Sequence, residues 1–304
     1  MVAGGWRLTM GVAVLVTGGL IAPAAVQAEE GCRWVMTNLP VPAGQYSLGP
    51  LGGDGDWLTS TSGLGTVVVW HQEVPRTVTF PADRAAFDIN RNGVLLSAGE
   101  DGLWRGEEKL EELPGRSSTV HSINTAGDVV GTSGGALVMW PAGSATPHVL
   151  EGTDDGEWWL GGIDDAGNVF GGFRREAPQR YYVWNREGAR TELPPLQGHY
   201  QAFATSIRDG RVYGASAVKG DYLGTSVEWN LRGEIVRTMP GRAVLASNDA
   251  GDQLSYWESG IGVRRANGRF DPLPNGVAFP SVLSESGDVF GGRYWEGPVK
   301  LRCA

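Results

Sequence analysis

The sequence predicts an all-β chain, a seven-bladed β-propeller with four antiparallel strands per blade. Three observations carry that prediction: a turn glycine recurs seven times, a tryptophan strand follows most copies, and an apolar residue, usually with proline, closes each unit. The turn glycines are Gly55, Gly93, Gly127, Gly167, Gly210, Gly251 and Gly287, spaced 38, 34, 40, 43, 41 and 36 residues apart.

The clearest copy runs from Ser122 to Gly131. Ile123 leads into a polar turn that starts at Asn124 and reaches Gly127, and the β-branched pair Val129 and Val130 leads out. This is a hairpin signature, because Asn caps a turn through its side chain and Gly takes the left-handed conformation the turn requires. A small residue follows each apolar pair: Gly131, Gly171, Gly214 or Gly291, and Thr59, Ser97 or Ser255 elsewhere, as expected where strands crowd together. The next strand carries Trp70, Trp104, Trp140, Trp184 or Trp229, while copy six has Arg265 near that place. The unit closes at Leu39-Pro40, Phe80-Pro81, Leu113-Pro114, Leu150, Leu193-Pro194, Met239-Pro240 and Leu273-Pro274. Each unit thus holds four short strands in about 40 residues, the length of a propeller blade.

The order of landmarks at the two ends predicts how the ring closes. The stretch Trp34 to Pro40 is a lone closing strand, and the chain finishes at Val299 to Arg302 without one. The N-terminal strand therefore completes the last blade and leaves no sheet edge at the join. Cys32 and Cys303, the only cysteines, flank that join and are expected to form a disulfide in an oxidising compartment. Glycines (47) and prolines (17) are spread evenly, so helix patterns are scarce, and Arg105 to Glu112 reads as a strand pair around a Glu-rich turn.

Residues 1–28 read as a secretory signal peptide cleaved after Ala28. Arg7 precedes an apolar run from Met10 to Ile21, and the segment ends in Val26-Gln27-Ala28. The run is too short to span a membrane. Residues 29–304 form a single propeller domain, and localisation is expected to be extracellular. The whole chain carries a net charge of −9, and removing Arg7 makes it about −10, which argues against nucleic acid as a partner.

The repeat Ile-Asn-x-x-Gly-x-Val-x-Gly, followed by a Trp strand and Leu-Pro, resembles the HAF repeat of bacterial extracellular proteins. Ile123 to Gly131 and Ile163 to Gly171 carry the likeness. The family's His-Ala-Phe before the tryptophan is replaced by Ala136-Leu-Val-Met-Trp140 and Tyr181-Tyr-Val-Trp184. The resemblance implies secretion and a repeat fold without assigning any chemistry.

No motif argues for catalysis. Gly131-Thr-Ser133-Gly-Gly135 matches a nucleophile-elbow pattern but falls within a hairpin rather than a strand-to-helix turn. His71, His121, His148 and His199 stand apart, which argues against zinc, and Asp54-Gly-Asp56 and Asp154-Asp-Gly-Glu157 lack the ligand ladder of a calcium loop. Neither a metal nor a cofactor is expected. The uneven loops between blades and between second and third strands share one face. They supply the candidate ligand-binding residues Trp158, Trp159, Arg174, Arg175, Arg180, His199, Tyr200, Asp221, Tyr222, Trp257, Glu258 and Trp295. The expected function is a secreted, monomeric, non-catalytic binding module for an extracellular glycan or protein. The alternative is a carbohydrate-active hydrolase or lyase using loop-face carboxylates such as Glu157, Asp221 or Glu258.

Overall fold

The computed structural model describes residues 31–44, 52–63, 66–80, 84–154, 156–173, 178–221, 224–239, 241, 243–257, 260–293 and 297–304. The expected signal peptide lies outside these residues. Residues Cys32–Ala304 form one compact unit. Its described residues fold into seven four-stranded antiparallel sheets without a helix, arranged as a seven-bladed β-propeller. Blades 1 to 6 span 52–79, 85–110, 118–149, 158–192, 201–239 and 244–272, and blade 7 joins 278–303 to Trp34–Asn38. In that last blade Trp34 pairs with Cys303 and Asn38 with Val299, so the N-terminal strand is the outermost one, as the landmarks predict. The Cys32–Cys303 disulfide stands beside this pairing, with Cα atoms 5.3 Å apart. The run Arg105 to Glu112 is a strand pair's hairpin as read, its turn joining Gly102–Arg105 to Glu108–Leu110.

Each landmark acquires a physical reason. The indoles of Trp70, Trp140, Trp184 and Trp229 are fully buried. Each donates to a carbonyl where the preceding blade ends: Pro40 at 2.7 Å, Glu111 at 2.8 Å, Glu151 at 3.0 Å and Pro194 at 2.8 Å. The tryptophan and the closing residue recur together because they are two halves of one inter-blade bond, except that in blade 2 the closing residue is the buried Leu110, followed by the acceptor Glu111, and not the expected Leu113-Pro114. Trp104 is an exception to the sequence reading. It pairs with Ser97, whereas Trp140, Trp184 and Trp229 pair with Val129, Val169 and Val212, two residues after the turn glycine. Its ring lies 3.9 Å from the Arg84 guanidinium. Its neighbour Arg105 ties blade 2 forward to blade 3, donating to the carbonyls of Gly127 (2.8 Å) and Pro141 (2.9 Å).

The small residue after the apolar pair is demanded by a bulge in the innermost strands of blades 2 to 7, whereas blade 1 pairs there without a shift. The register shifts between Val120 and Ser122, Leu160 and Gly162, and Ala204 and Ser206. The shift presses a carbonyl onto the neighbouring strand. A Cβ on Gly131 would lie 1.9 Å from the oxygen of Thr119, and one on Gly214 would lie 1.8 Å from that of Phe203.

One outer hairpin breaks the usual turn chemistry. In blade 1, Gln72 and Glu73 link Thr66–His71 to Val74–Thr79 with φ of 50° and 68°. Left-handed backbone costs a residue with a Cβ about 1–2 kcal/mol, a cost that Gly in an Asn-Gly turn avoids.

Candidate functional site

Two faces surround the axis, and the sequence treats them differently. The face made by the repeated Asn turns is knitted into a belt. The Asn124 side chain accepts from the amide of Asp128 (2.8 Å), capping its own turn, and donates to the carbonyl of Asp164 in the next blade (3.0 Å). Asn90 donates likewise to Asn124 (2.9 Å) and Asn248 to Ser284 (2.9 Å). Blade 4 carries Asp164, which has no amide to donate, and its carboxylate instead accepts from the Gly210 amide at 2.8 Å.

Residues beside these turns close the axial mouth with charge. Arg91 of blade 2 meets Asp54 of blade 1 and Glu285 of blade 7, each at 3.2 Å, and Asp249 of blade 6 at 3.5 Å. Arg208 of blade 5 also pairs with Asp249 and Glu285. Burial pushes the Asp249 carboxyl up, but the Arg208 hydrogen bond and the charges of Arg208 and Arg91 outweigh it and hold it below the usual range. Two adjoining chambers of about 140 and 190 Å³ lie behind this mouth and share Gly53, Asp54, Asp88 and Arg208 as walls. Asp88, on the innermost strand of blade 2, accepts from the amides of Ile89 (2.9 Å) and of Ile123 in blade 3 (3.1 Å). Burial pushes its carboxyl up to about 7; those amides oppose the rise and the charge of Asp54 adds to it. A Cβ on Gly52 would sit 2.4 Å from the Asp88 carboxylate, so the glycine pair at the start of blade 1 makes room for this staple. Sequence reading missed Asp88 because one residue in one copy breaks the repeat, and the only available signal was that departure itself. The carboxylates of this mouth are held by guanidinium groups and amides, an arrangement that suits closure better than proton transfer.

The opposite face carries the expected ligand-binding residues, and the structure divides them. Trp158 is 7% exposed and packs between blades 3 and 4, with Trp184 at 5.6 Å and Tyr182 at 5.4 Å. Trp159 is half-buried against Tyr181 (5.2 Å) and Phe170 (6.2 Å), toward blade 5. Trp158 is therefore a packing residue, its ring turned into the seam between blades, and Trp159 keeps part of its surface in solvent. Trp257 is half-buried and stacked on Phe270 with ring centroids 4.8 Å apart. Arg180 opens the third strand of blade 4 and lies 4.0 Å from Glu192.

Blade 5 gathers the rest. His199 Nδ1 is 3.1 Å from the Ser216 hydroxyl, Tyr200 donates its amide to Ala217 (2.8 Å), and Lys219 lies 5.9 Å from the Tyr200 ring. Asp221 donates its amide to Val218 at 3.1 Å, closing the turn that carries Lys219. Tyr200 and Val218 are exposed by 40% and 48%, an apolar pair left in solvent beside a cation. Arg174, Arg175, Tyr222, Glu258 and Trp295 lie outside the described residues. Glu157 and Asp221 sit on loops of different blades.

No protein-family model matches the chain, and no curated protein matches it in sequence. Solved structures do match in fold. Streptogramin B lyase superposes over 89% of this chain and 98% of its own, with a TM-score of 0.59 and 12% identity. YCF48 from Cyanidioschyzon merolae covers 88% of this chain and 98% of its own, with a TM-score of 0.53 and 12% identity. YCF48 bound to D1 peptide covers 89% and 97%, with a TM-score of 0.52 and 13% identity. One of these neighbours is named for a reaction and another is solved with a peptide, so the likeness establishes a propeller scaffold and leaves its use to the site.

Proposed function

We propose that this chain is a secreted, monomeric, non-catalytic binding module that takes an extracellular protein segment or glycan on its loop face. The observation that carries the reading is the contrast between the two faces. Around the axis the turn face is tied up in the belt and the charge cluster, whereas blade 5 exposes Tyr200 and Val218 with Lys219 alongside and His199 braced by Ser216. An amphipathic ring next to a cation suits a sugar face or a peptide side chain. The peptide-bound YCF48 supports a protein segment as one occupant. The Cys32–Cys303 disulfide and the apolar run Met10 to Ile21 support export, and the turn repeat supports the likeness to HAF-repeat proteins.

The test is to screen the mature chain on glycan and peptide arrays while assaying the same glycans for new reducing ends. Binding without release is expected, and Tyr200→Ala should weaken it about tenfold or more, as a central aromatic contact does. Release of reducing ends would favour the hydrolase or lyase, and an unchanged affinity in Tyr200→Ala would remove blade 5 from the site.

A further inference from the structure

The seam between blade 7 and blade 1, where the ring closes, holds a third cavity, apart from the two axial chambers and from the loop face. It measures about 200 Å³ and opens on the turn face. Its floor is apolar, Leu58 from blade 1 and Phe290 from blade 7. Lys300 stands over that floor with its side chain only 6% exposed and its ammonium 5.7 Å from the Phe290 ring. The ammonium is held by Asp288 at 2.8 Å, and Arg302, which is exposed, grips the same carboxylate at 2.8 Å. Burial pushes the Asp288 carboxyl up, but the Arg302 and Lys300 hydrogen bonds outweigh it and keep the group a permanent anion near neutral pH.

One buried carboxylate between two cations leaves one positive charge over. That charge is met by Glu73, which pairs with Lys300 and lies 3.9 Å from Arg302. Glu73 comes from outside the cavity. It is 45% exposed and sits at the tip of the left-handed hairpin, in a conformation that its Cβ disfavours. A tight turn would prefer Asn-Gly here, yet the chain keeps the side chain that reaches Lys300. Asp56, held by the Gln72 amide at 3.3 Å, adds a negative charge at the rim.

We propose that this seam cavity is a binding site for a small monocarboxylate, and that Glu73 is a tethered occupant which such a ligand displaces. The incoming carboxylate takes the place of the Glu73 carboxylate on Lys300 and Arg302, and its body covers Leu58 and Phe290. The single surplus charge matches a monoanion, and Asp56 at the rim disfavours sulfate or phosphate. A cavity of this size falls below the pockets of about 300 Å³ and more that hold drug-sized molecules, so the ligand is a small acid or a single sugar acid.

The test uses the mature, disulfide-closed chain, with acetate and D-glucuronate as probes and glucose and sulfate as controls, read by calorimetric titration and thermal shift. Glu73→Gln keeps the hairpin and removes the competitor. It should bind glucuronate about tenfold more tightly than the wild type, the ratio that about 1.4 kcal/mol of lost competition gives. Adding Lys300→Met should abolish that gain. If the double variant does not fold, Glu73→Gln with the exposed Arg302→Ala serves, and it should weaken binding about threefold or more, as losing one exposed charge-assisted hydrogen bond does. Failure of Glu73→Gln to bind either carboxylate would overturn the proposal and leave Lys300 and Glu73 as a closure clasp. Equal binding of glucuronate and glucose, or binding indifferent to Arg302 and Lys300, would overturn it as well. These outcomes are independent of Tyr200 and the loop face.

Discussion

Asp88→Asn should flatten the pH dependence of stability between about pH 4 and 7. In the unfolded chain this carboxyl titrates near 3.8, and in the folded chain burial raises it to about 7. Between those values the folded protein holds a proton that the unfolded chain has released. Stability from this group is therefore greatest below the lower value and is lost as pH rises toward the upper one. Three pK units at 1.36 kcal/mol each amount to about 4 kcal/mol. That is a ceiling, because the carboxylate faces polar chambers roomy enough for water, which screens the charge. Asparagine does not titrate, and it offers one acceptor where Asp88 accepts from Ile89 and Ile123 with two separate oxygens. The variant should be the less stable protein at low pH and recover relative to the wild type as pH rises. The assay is urea unfolding of both proteins at about pH 4.5, 5.5, 6.5 and 7.5. The difference between them should move by about 1–4 kcal/mol in the variant's favour over that range. A constant difference, or a wild type that gains on the variant with rising pH, would refute the burial argument.

Three other outcomes are expected. Trp229→Phe removes the indole donor to Pro194 and leaves a buried carbonyl with a smaller ring beside it, so urea unfolding should show a loss of about 2–3 kcal/mol. Gly214→Ala places a methyl 1.8 Å from the Phe203 carbonyl and should cost about 1–3 kcal/mol, with the innermost strand of blade 5 losing amide-exchange protection first. Replacing both Cys32 and Cys303 by Ser frees a loop with a sequence separation of 271, for which chain entropy alone gives about 5.6 kcal/mol; a variant with unchanged thermal stability would remove the disulfide from the closure argument.

Much of the scaffold was legible because each blade repeats its own local needs. The turn at Asn124 and Gly127 is written within five residues, and the missing fourth strand at the C-terminus showed that Trp34 to Pro40 must fill it. Contacts between blades were harder to read. The tryptophans were visible, but their partners lie some 29 to 35 residues away, and Trp104 matched the landmark by spacing while its register points it at Arg84. The axial charge cluster joins Arg91 to Glu285 across 194 residues, a distance over which local pattern says nothing. Trp158 looked like a loop-face ring because an aromatic residue at a strand start reads the same whether it faces solvent or a seam. Burial decided, and burial depends on the neighbouring blade.

The closure of blade 7 also sets a timetable. The strand Trp34–Asn38 precedes its partner Gly297–Cys303 in the chain, with all six other blades between them. At about 5–20 residues per second, a separation of 271 residues means roughly 15–55 s during which the earliest strand has no mate. Six blades can assemble vectorially as they emerge, but the ring keeps two open ends until Gly297–Cys303 arrives to pair with the first strand. Anything that captures the N-terminal strand in that interval, a chaperone or a neighbouring chain's unfinished blade, competes directly with the native join.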